Sequence, residues 1–161
     1  MNEPVVVPVR TGEELARIRE LFWEYGESLR FHICFESFER ELAELPGPYA
    51  PPDGELWLAI VGHTSAGCVG LKAIEPGVAE IKRLYVRPNF RGMKLGRKLA
   101  QAAIEKCRLL GYRKVRLDTL PVMNEAQSLY RSLGFQPIGG GTGPDDPIDM
   151  ELNLTESISA L

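Results

Sequence analysis

The sequence predicts a mixed α/β fold in a single domain spanning residues 1–161, and three observations point there. First, the 161 residues, 44% of them hydrophobic, suffice for one substantial core and not for two comfortable ones. Second, strand-like runs and amphipathic helical runs alternate along most of the chain. Third, the order strand, well-formed helix, strand between Ala79 and Thr119 requires a crossover, and so at least one parallel pair of strands. No internal repeat is present.

The elements follow in order. Val5 to Val9 reads as a short strand whose prolines, Pro4 and Pro8, place it near a sheet edge or start. Thr11 with Glu14 three residues later is a capping-box pattern, and Leu15, Ile18, Phe22 and Tyr25 then recur at helical spacing. Phe35 to Leu45 is predicted as a second helix, ended by Pro46-Gly47-Pro48, and the proline-rich stretch to Gly54 as loop. Glu55 to Val61 and Cys68 to Ile74 are predicted strands of an antiparallel hairpin, joined by a loop from Gly62 to Gly67. Ala79 to Val86 is the next strand.

The helix from Lys98 to Leu110 carries an apolar stripe of Leu99, Ala100, Ala103, Ile104, Cys107 and Leu110, and Gly111 stops it. Val115 to Thr119 is predicted to pair parallel to Ala79–Val86 across this helix. Asn124, with Gln127 in the reciprocal position, is expected to cap a last helix that buries Ala126, Leu129, Tyr130 and Leu133 and ends at Gly134. Phe135 to Ile138 and Ile148 to Leu154 close the fold around the glycine-rich loop Gly139 to Gly143, expected to be mobile and to border a pocket.

Composition excludes several function classes. A net charge of −3 and a pI near 5.5 argue against broad attraction to nucleic acid or to anionic membrane, so neither is expected as a partner. Cys34, Cys68 and Cys107 are odd in number and lack a Cys-x-x-Cys pair, which indicates neither a disulfide framework nor a zinc site. Reduced thiols in a cytoplasmic protein are the expectation. The start, Met1-Asn2-Glu3-Pro4, lacks the basic and apolar segments of a secretory signal, and no apolar run approaches the roughly 20 residues that span a bilayer.

With His32 and His63 the only histidines, metal hydrolysis and Ser/His/Asp chemistry lack their parts, and no metal is expected. The nucleoside triphosphate loop Gly-x-x-x-x-Gly-Lys-[Ser/Thr] does not occur, and the Gly139–Gly143 cluster does not open a helix as a dinucleotide signature would.

The chemistry concentrates at Arg91-Gly92-Met93-Lys94-Leu95-Gly96, a glycine-punctuated turn between a strand and a helix. Such a turn aims unpaired N–H groups and the positive end of a helix dipole at one small volume, a favourable place for phosphate. Lys82, Arg83, Arg87, Arg91, Lys94, Arg97 and Lys98 cluster around it in sequence. In the preceding strand the apolar alternation slips, with Ala79 and Ile81 in one phase and Leu84 and Val86 in the other. Two explanations stand: a bulge near Lys82-Arg83 that leaves backbone groups open to a ligand, or a strand of mixed burial.

Leu84-Tyr85-Val86-x-Pro88-x-x-Arg91-Gly92-x-x-Leu95-Gly96, followed by Asn124-x-Ala126-x-x-Leu129-Tyr130-x-x-x-Gly134-Phe135, resembles the two central motifs of the GCN5-related N-acetyltransferases, the GNAT superfamily. The matched segment runs from about Glu80 to Phe135, and the flanking element order agrees from about Val5 to Leu154. The resemblance implies a GNAT fold: a mixed, mostly antiparallel sheet splayed between its two parallel strands, helices on both faces, and acetyl-CoA wedged in the split. Carried over position by position, the backbones of Leu84, Tyr85 and Val86 would bond the pantetheine arm. The N–H groups of Arg91, Gly92, Met93, Lys94, Leu95, Gly96 and Arg97 would surround the pyrophosphate, with Gly96 admitting close approach.

Lys94 departs from the family, which has glycine there. Lysine serves if that position contributes chiefly its N–H and its backbone does not require glycine; otherwise the site is distorted. Tyr130 matches the tyrosine that protonates the departing thiolate, although periodicity alone makes it a core residue. Asn124 matches a residue that touches the pantetheine arm, beside its reading as a cap.

An alkylamine of pKa about 10 is only about one part in a thousand neutral at pH 7, so a group must remove its proton before attack. Glu80 is the candidate by resemblance, with Asp118 or a water relay as alternatives. The resemblance therefore implies an acetyl-CoA-dependent N-acetyltransferase acting on a primary amine of a small molecule, an amino acid included. A non-catalytic acyl-CoA-binding or sensing module, and a GNAT-fold enzyme using a longer acyl-CoA or another acceptor, are the alternatives. Trp23, Tyr25, Phe31, Glu36 and Tyr49 are expected near a cationic acceptor, and Arg30 near a carboxylate. Acceptor contacts are expected from the helices between Leu15 and Leu45, the proline-rich loop and the Gly139–Asp149 loop. Homodimers are frequent in that superfamily, and the residues leave the oligomeric state open.

Overall fold

The computed structural model describes residues 3–29, 35–121, 123–140, 143 and 146–155. The order is β1 (Val5–Pro8), α1 (Gly12–Ser28), α2 (Phe35–Glu44), β2 (Glu55–Val61), β3 (Thr64–Glu75), β4 (Val78–Val86), α3 (Leu95–Leu110), β5 (Lys114–Thr119), α4 (Asn124–Ser132), β6 (Gln136–Gly140) and β7 (Ile148–Asn153). The strands form one sheet in the order β1-β2-β3-β4-β5-β7-β6, antiparallel at every junction except the parallel β4–β5 pair. No helix among the described residues is long and apolar enough to cross a membrane.

Strand alternation gives each face its own core. Trp57, Ala59, Val69, Ala79 and Ile81 face α3 and α4, meeting Leu99, Ala103, Tyr130 and Phe135. Leu56, Leu58 and Cys68 face α1 and α2, meeting Ile18, Phe22, Phe38 and Leu42. The capping box at α1 is formed as expected: Glu14 N–H donates to Thr11 Oγ1 at 3.1 Å, and the Thr11 N–H donates to the Glu14 carboxylate at 3.0 Å.

Four local expectations change. The loop predicted at Gly139 to Gly143 starts later, because β6 runs on to Gly140 and Gly139 pairs with Asp149. β3 begins at Thr64, so the hairpin loop shrinks to Gly62-His63, with Gly62 at φ 66°. Gly67, which resembles a turn former, is there for packing: a Cβ on it would lie 2.6 Å from the Tyr85 carbonyl oxygen. α3 begins at Leu95 rather than Lys98, because Leu95 is buried in the core. At α4 Asn124 is the first helical residue and makes no cap; the Gln127 amide instead donates to the carbonyls of Leu120 (2.9 Å) and Pro121 (3.1 Å), anchoring the entry loop.

Two irregularities of β4 create the site. Cys68 stands opposite Tyr85 and Gly70 opposite Lys82, so Val69 alone faces both Arg83 and Leu84. This is a bulge, and Arg83 takes the left-handed conformation (φ 62°) within it. It returns Leu84 and Val86 to the face shared by Ala79 and Ile81. On its other edge β4 pairs with β5 only at Val78–Lys114, Ala79–Val115 and Glu80–Arg116. Beyond Glu80 the two strands part, so the sheet splits between β4 and the end of β5.

Candidate active site

A groove of about 480 Å³ opens on the α3/α4 face of the split, lined by Leu84, Val86, Phe90, the turn residues Arg91, Gly92, Lys94, Leu95, Gly96 and Arg97, and Glu125, Ala126, Leu129 and Tyr130. Among the described residues, the backbone edge of β4 from Ile81 onward has no ladder partner on this side. At the turn, Gly92 (φ 93°) and Lys94 (φ 62°, ψ 28°) both adopt left-handed backbone, and Lys94 occupies the N-cap position of α3 without a side-chain cap. The position thus has a backbone that favours glycine, and lysine adopts it at a cost of about 1 kcal/mol.

The first amides of α3 point out of the helix without intrahelical partners. Arg91 differs, because its N–H donates to Pro88 O (3.3 Å) and its Nε to Val86 O (3.2 Å). A Cβ on Gly96 would meet only Leu129, at an ordinary 3.4 Å. The fold itself does not demand glycine there, so the missing side chain leaves room on the groove side for something that is not protein. Met93 packs its side chain into the core, and Asn124 is exposed on the first turn of α4 beside the groove-lining Glu125 and Ala126.

A second cavity, a basin of about 280 Å³, lies on the α1/α2 face. Tyr25, Phe38 and Glu41 form one wall, Lys82 and Arg83 of the bulge another, and Asp118, Thr119 and Met123 a third. A small cavity of about 60 Å³, a throat at the split, lies between the two. It shares Leu84, Ala126 and Tyr130 with the groove, and Tyr25, Lys82, Arg83 and Asp118 with the basin. Tyr130 is thus buried at the junction, edge-on to Phe135 at 5.9 Å. Burial, reinforced by the nearby Tyr25 phenol and the Asp118 carboxylate, pushes its phenol well above the usual tyrosine range, so it is an O–H donor at neutral pH.

In the basin Arg83 makes a two-pronged pair with Glu41, Nε and Nη2 each 2.9 Å from a carboxylate oxygen. Burial opposes the Arg83 charge, yet Glu41 outweighs it and holds the guanidinium above its ordinary range. Lys82 approaches Asp118 at 3.9 Å.

The structure distributes the other candidate residues unevenly. Glu80 pairs with Lys72 at 3.7 Å and lines neither groove, throat nor basin, whereas Asp118 lines throat and basin. The basic cluster divides: Arg91, Lys94 and Arg97 line the groove, Lys82 and Arg83 the basin, and Arg87 binds Glu24 and Glu20 of α1. Of the aromatic and acidic residues expected near the acceptor, Tyr25 lines the basin; Tyr49 is buried in the core, and Trp23 is exposed elsewhere. Glu36 is exposed and does not line the basin. Arg30, Phe31, His32, Cys34, Gly141 and Thr142 lie outside the described residues.

The proline-rich loop contributes Tyr49 to the core rather than a wall to the basin, and of the described residues between Gly139 and Asp149 Pro147 lines it. Glu41 and the basin-facing roles of Lys82 and Arg83 escaped sequence reasoning; the slip in alternation was their one signal. Among the described residues no group of three or more His, Cys, Asp or Glu side chains is placed to hold a metal.

The family model described as "Acetyltransferase (GNAT) family" matches residues 15–135. An uncharacterized N-acetyltransferase of Schizosaccharomyces pombe is 38% identical over 130 residues, covering 80% of each chain. The N-acetylaspartate synthetase of Mus musculus is 32% identical over 120 residues, 73% of this chain and 40% of that protein. Among solved structures, an acetyltransferase from Streptococcus agalactiae superposes with a TM-score of 0.78 at 20% identity, covering 96% of this chain and all of that one, a likeness of fold.

Proposed function

The chain belongs to the GNAT acetyltransferase family, and on that premise we propose that it is an acetyl-CoA-dependent N-acetyltransferase moving an acetyl group directly to the primary amine of a small molecule. The throat carries this reading. It lies in the split of the sheet, lined in part by a buried phenol, between a phosphate-suited groove and a basin on the opposite face that Glu41, Lys82, Arg83 and Asp118 help to line.

Acetyl-CoA, as co-substrate, would supply the reactive thioester from the groove. The amides of Gly92 to Arg97 bind the diphosphate, aided by the side chains of Arg91, Lys94 and Arg97. The unpaired β4 edge at Leu84, Tyr85 and Val86 holds the amide-bearing arm, and a backbone N–H there polarises the acyl carbonyl. Tyr130 donates its proton to the departing sulfur. We place proton removal from the amine on Asp118 rather than Glu80, because Asp118 lies where throat meets basin. A small acceptor fits the basin's size, and the mouse relative is named for a small N-acetylated amino acid.

The test is release of thiol from acetyl-CoA by purified protein presented with a library of amines. Turnover that collapses with Tyr130→Phe supports the reading. Tight CoA binding without turnover, unchanged by that substitution, would make the chain an acyl-CoA sensor instead.

A further inference from the structure

A regular strand sends consecutive side chains to opposite faces. Lys82 and Arg83 are consecutive, yet both line the throat and the basin on the α1/α2 side. The bulge does this, at the expense of left-handed backbone at Arg83. Its result is two cations on one wall, facing Asp118 at the end of β5 across the split.

Neither cation is used up by its partner. Glu41 engages Arg83 from the side, through Nε and Nη2, leaving Nη1 outside the pair. The rings of Phe38 and Tyr25 lie 5.0 and 5.7 Å from the guanidinium carbon and restrain it. Lys82 stands 3.9 Å from Asp118, longer than a hydrogen bond. A purely cationic amine entering this space meets two like charges on its way to Asp118. An amine that also carries a single negative charge meets opposite charges at both ends. With Glu41 and Asp118 set against Lys82 and Arg83 the basin has no excess positive charge to hold a dianion such as phosphate, and a carboxylate is the single negative charge that small amines commonly carry.

We propose that the acceptor is a small amine bearing a carboxylate, of the amino-acid class, and that Arg83 and Lys82 select it by binding that carboxylate while Asp118 faces the amine. The proposal rests on the basin being the acceptor site of the transferase described above.

The test compares common L-amino acids with their α-amides and their decarboxylated amines. Binding to CoA-saturated protein is read by calorimetry, and thiol release is read separately. Removing the carboxylate is expected to weaken binding and lower kcat/KM about 10- to 100-fold. Lys82→Met is expected to raise KM for the carboxylated acceptor several-fold, with Lys82→Arg restoring it, and Arg83→Gln to abolish the preference where that variant folds. Equal binding of amides and amino acids, or binding of no member of the panel, overturns the proposal. Efficient turnover of carboxylate-free amines overturns it too, while leaving the N-acetyltransferase reading intact. Selective binding of carboxylated amines without thiol release from any acceptor upholds the anchor and overturns the enzyme reading.

Discussion

At Tyr130 a single burial decides a chemical state. The phenol sits at the junction of groove and throat, and its surroundings resist ionisation. Tyr130→Phe keeps the packing against Phe135 and deletes only the donor, so kcat is expected to fall about 100-fold while CoA affinity, measured by calorimetry, stays within a factor of two or so. Lys94 is a second residue where two effects separate. Lys94→Gly removes both strain and charge and is expected to stabilise the protein by about 0.5–1 kcal/mol in urea unfolding. Lys94→Met keeps the strain. Both are expected to weaken CoA binding about 2- to 5-fold at low salt, with the difference from wild type shrinking as salt is raised.

Among the elements, β4 matters most, and its neighbour β3 sets its position. Gly67 stands opposite Val86, with the Tyr85 carbonyl too close for any side chain. Gly67→Ala is expected to push the Leu84–Val86 edge toward the groove, costing about 1–3 kcal/mol of stability and weakening CoA binding more than Lys94→Met does, as calorimetry would show. Element order and the crossover were legible in the sequence because amphipathic periods and glycine stops are local signals, clearest in α1 and α3. The slip between Ile81 and Leu84 even marked the bulge. The strand start at Thr64 was not legible, because Gly67 resembles a turn former but is small for a close approach to β4. The Asn124 cap failed for a similar reason: Gln127 is drawn to the carbonyls of the entry loop. The groove could be read from its motifs, whereas the basin assembles Tyr25, Glu41, Arg83 and Asp118 from four separate elements and has no local pattern to read.

For the molecule as a whole, several protons are held by burial. Tyr25, Tyr49 and Tyr130 all have phenols raised by desolvation, and the Cys107 thiol is pushed up to about 12 by the same cause. An unfolded chain releases these protons near the ordinary values while the folded chain keeps them, so the unfolded state binds fewer protons and stability must fall as pH rises through that range. Urea midpoints are expected to decline above about pH 9 and more steeply above about pH 10, with Tyr130→Phe declining less steeply than wild type.

The larger claim is that the split sheet divides the work, with the acyl carrier held on the α3/α4 face and the acceptor on the α1/α2 face. A crystal structure of the protein with CoA tests this most directly. The diphosphate is expected against the amides of Gly92 to Arg97, the arm along Leu84 to Val86, and the sulfur beside the Tyr130 hydroxyl. CoA bound in the basin or elsewhere on the surface, with the turn and throat untouched, would contradict it.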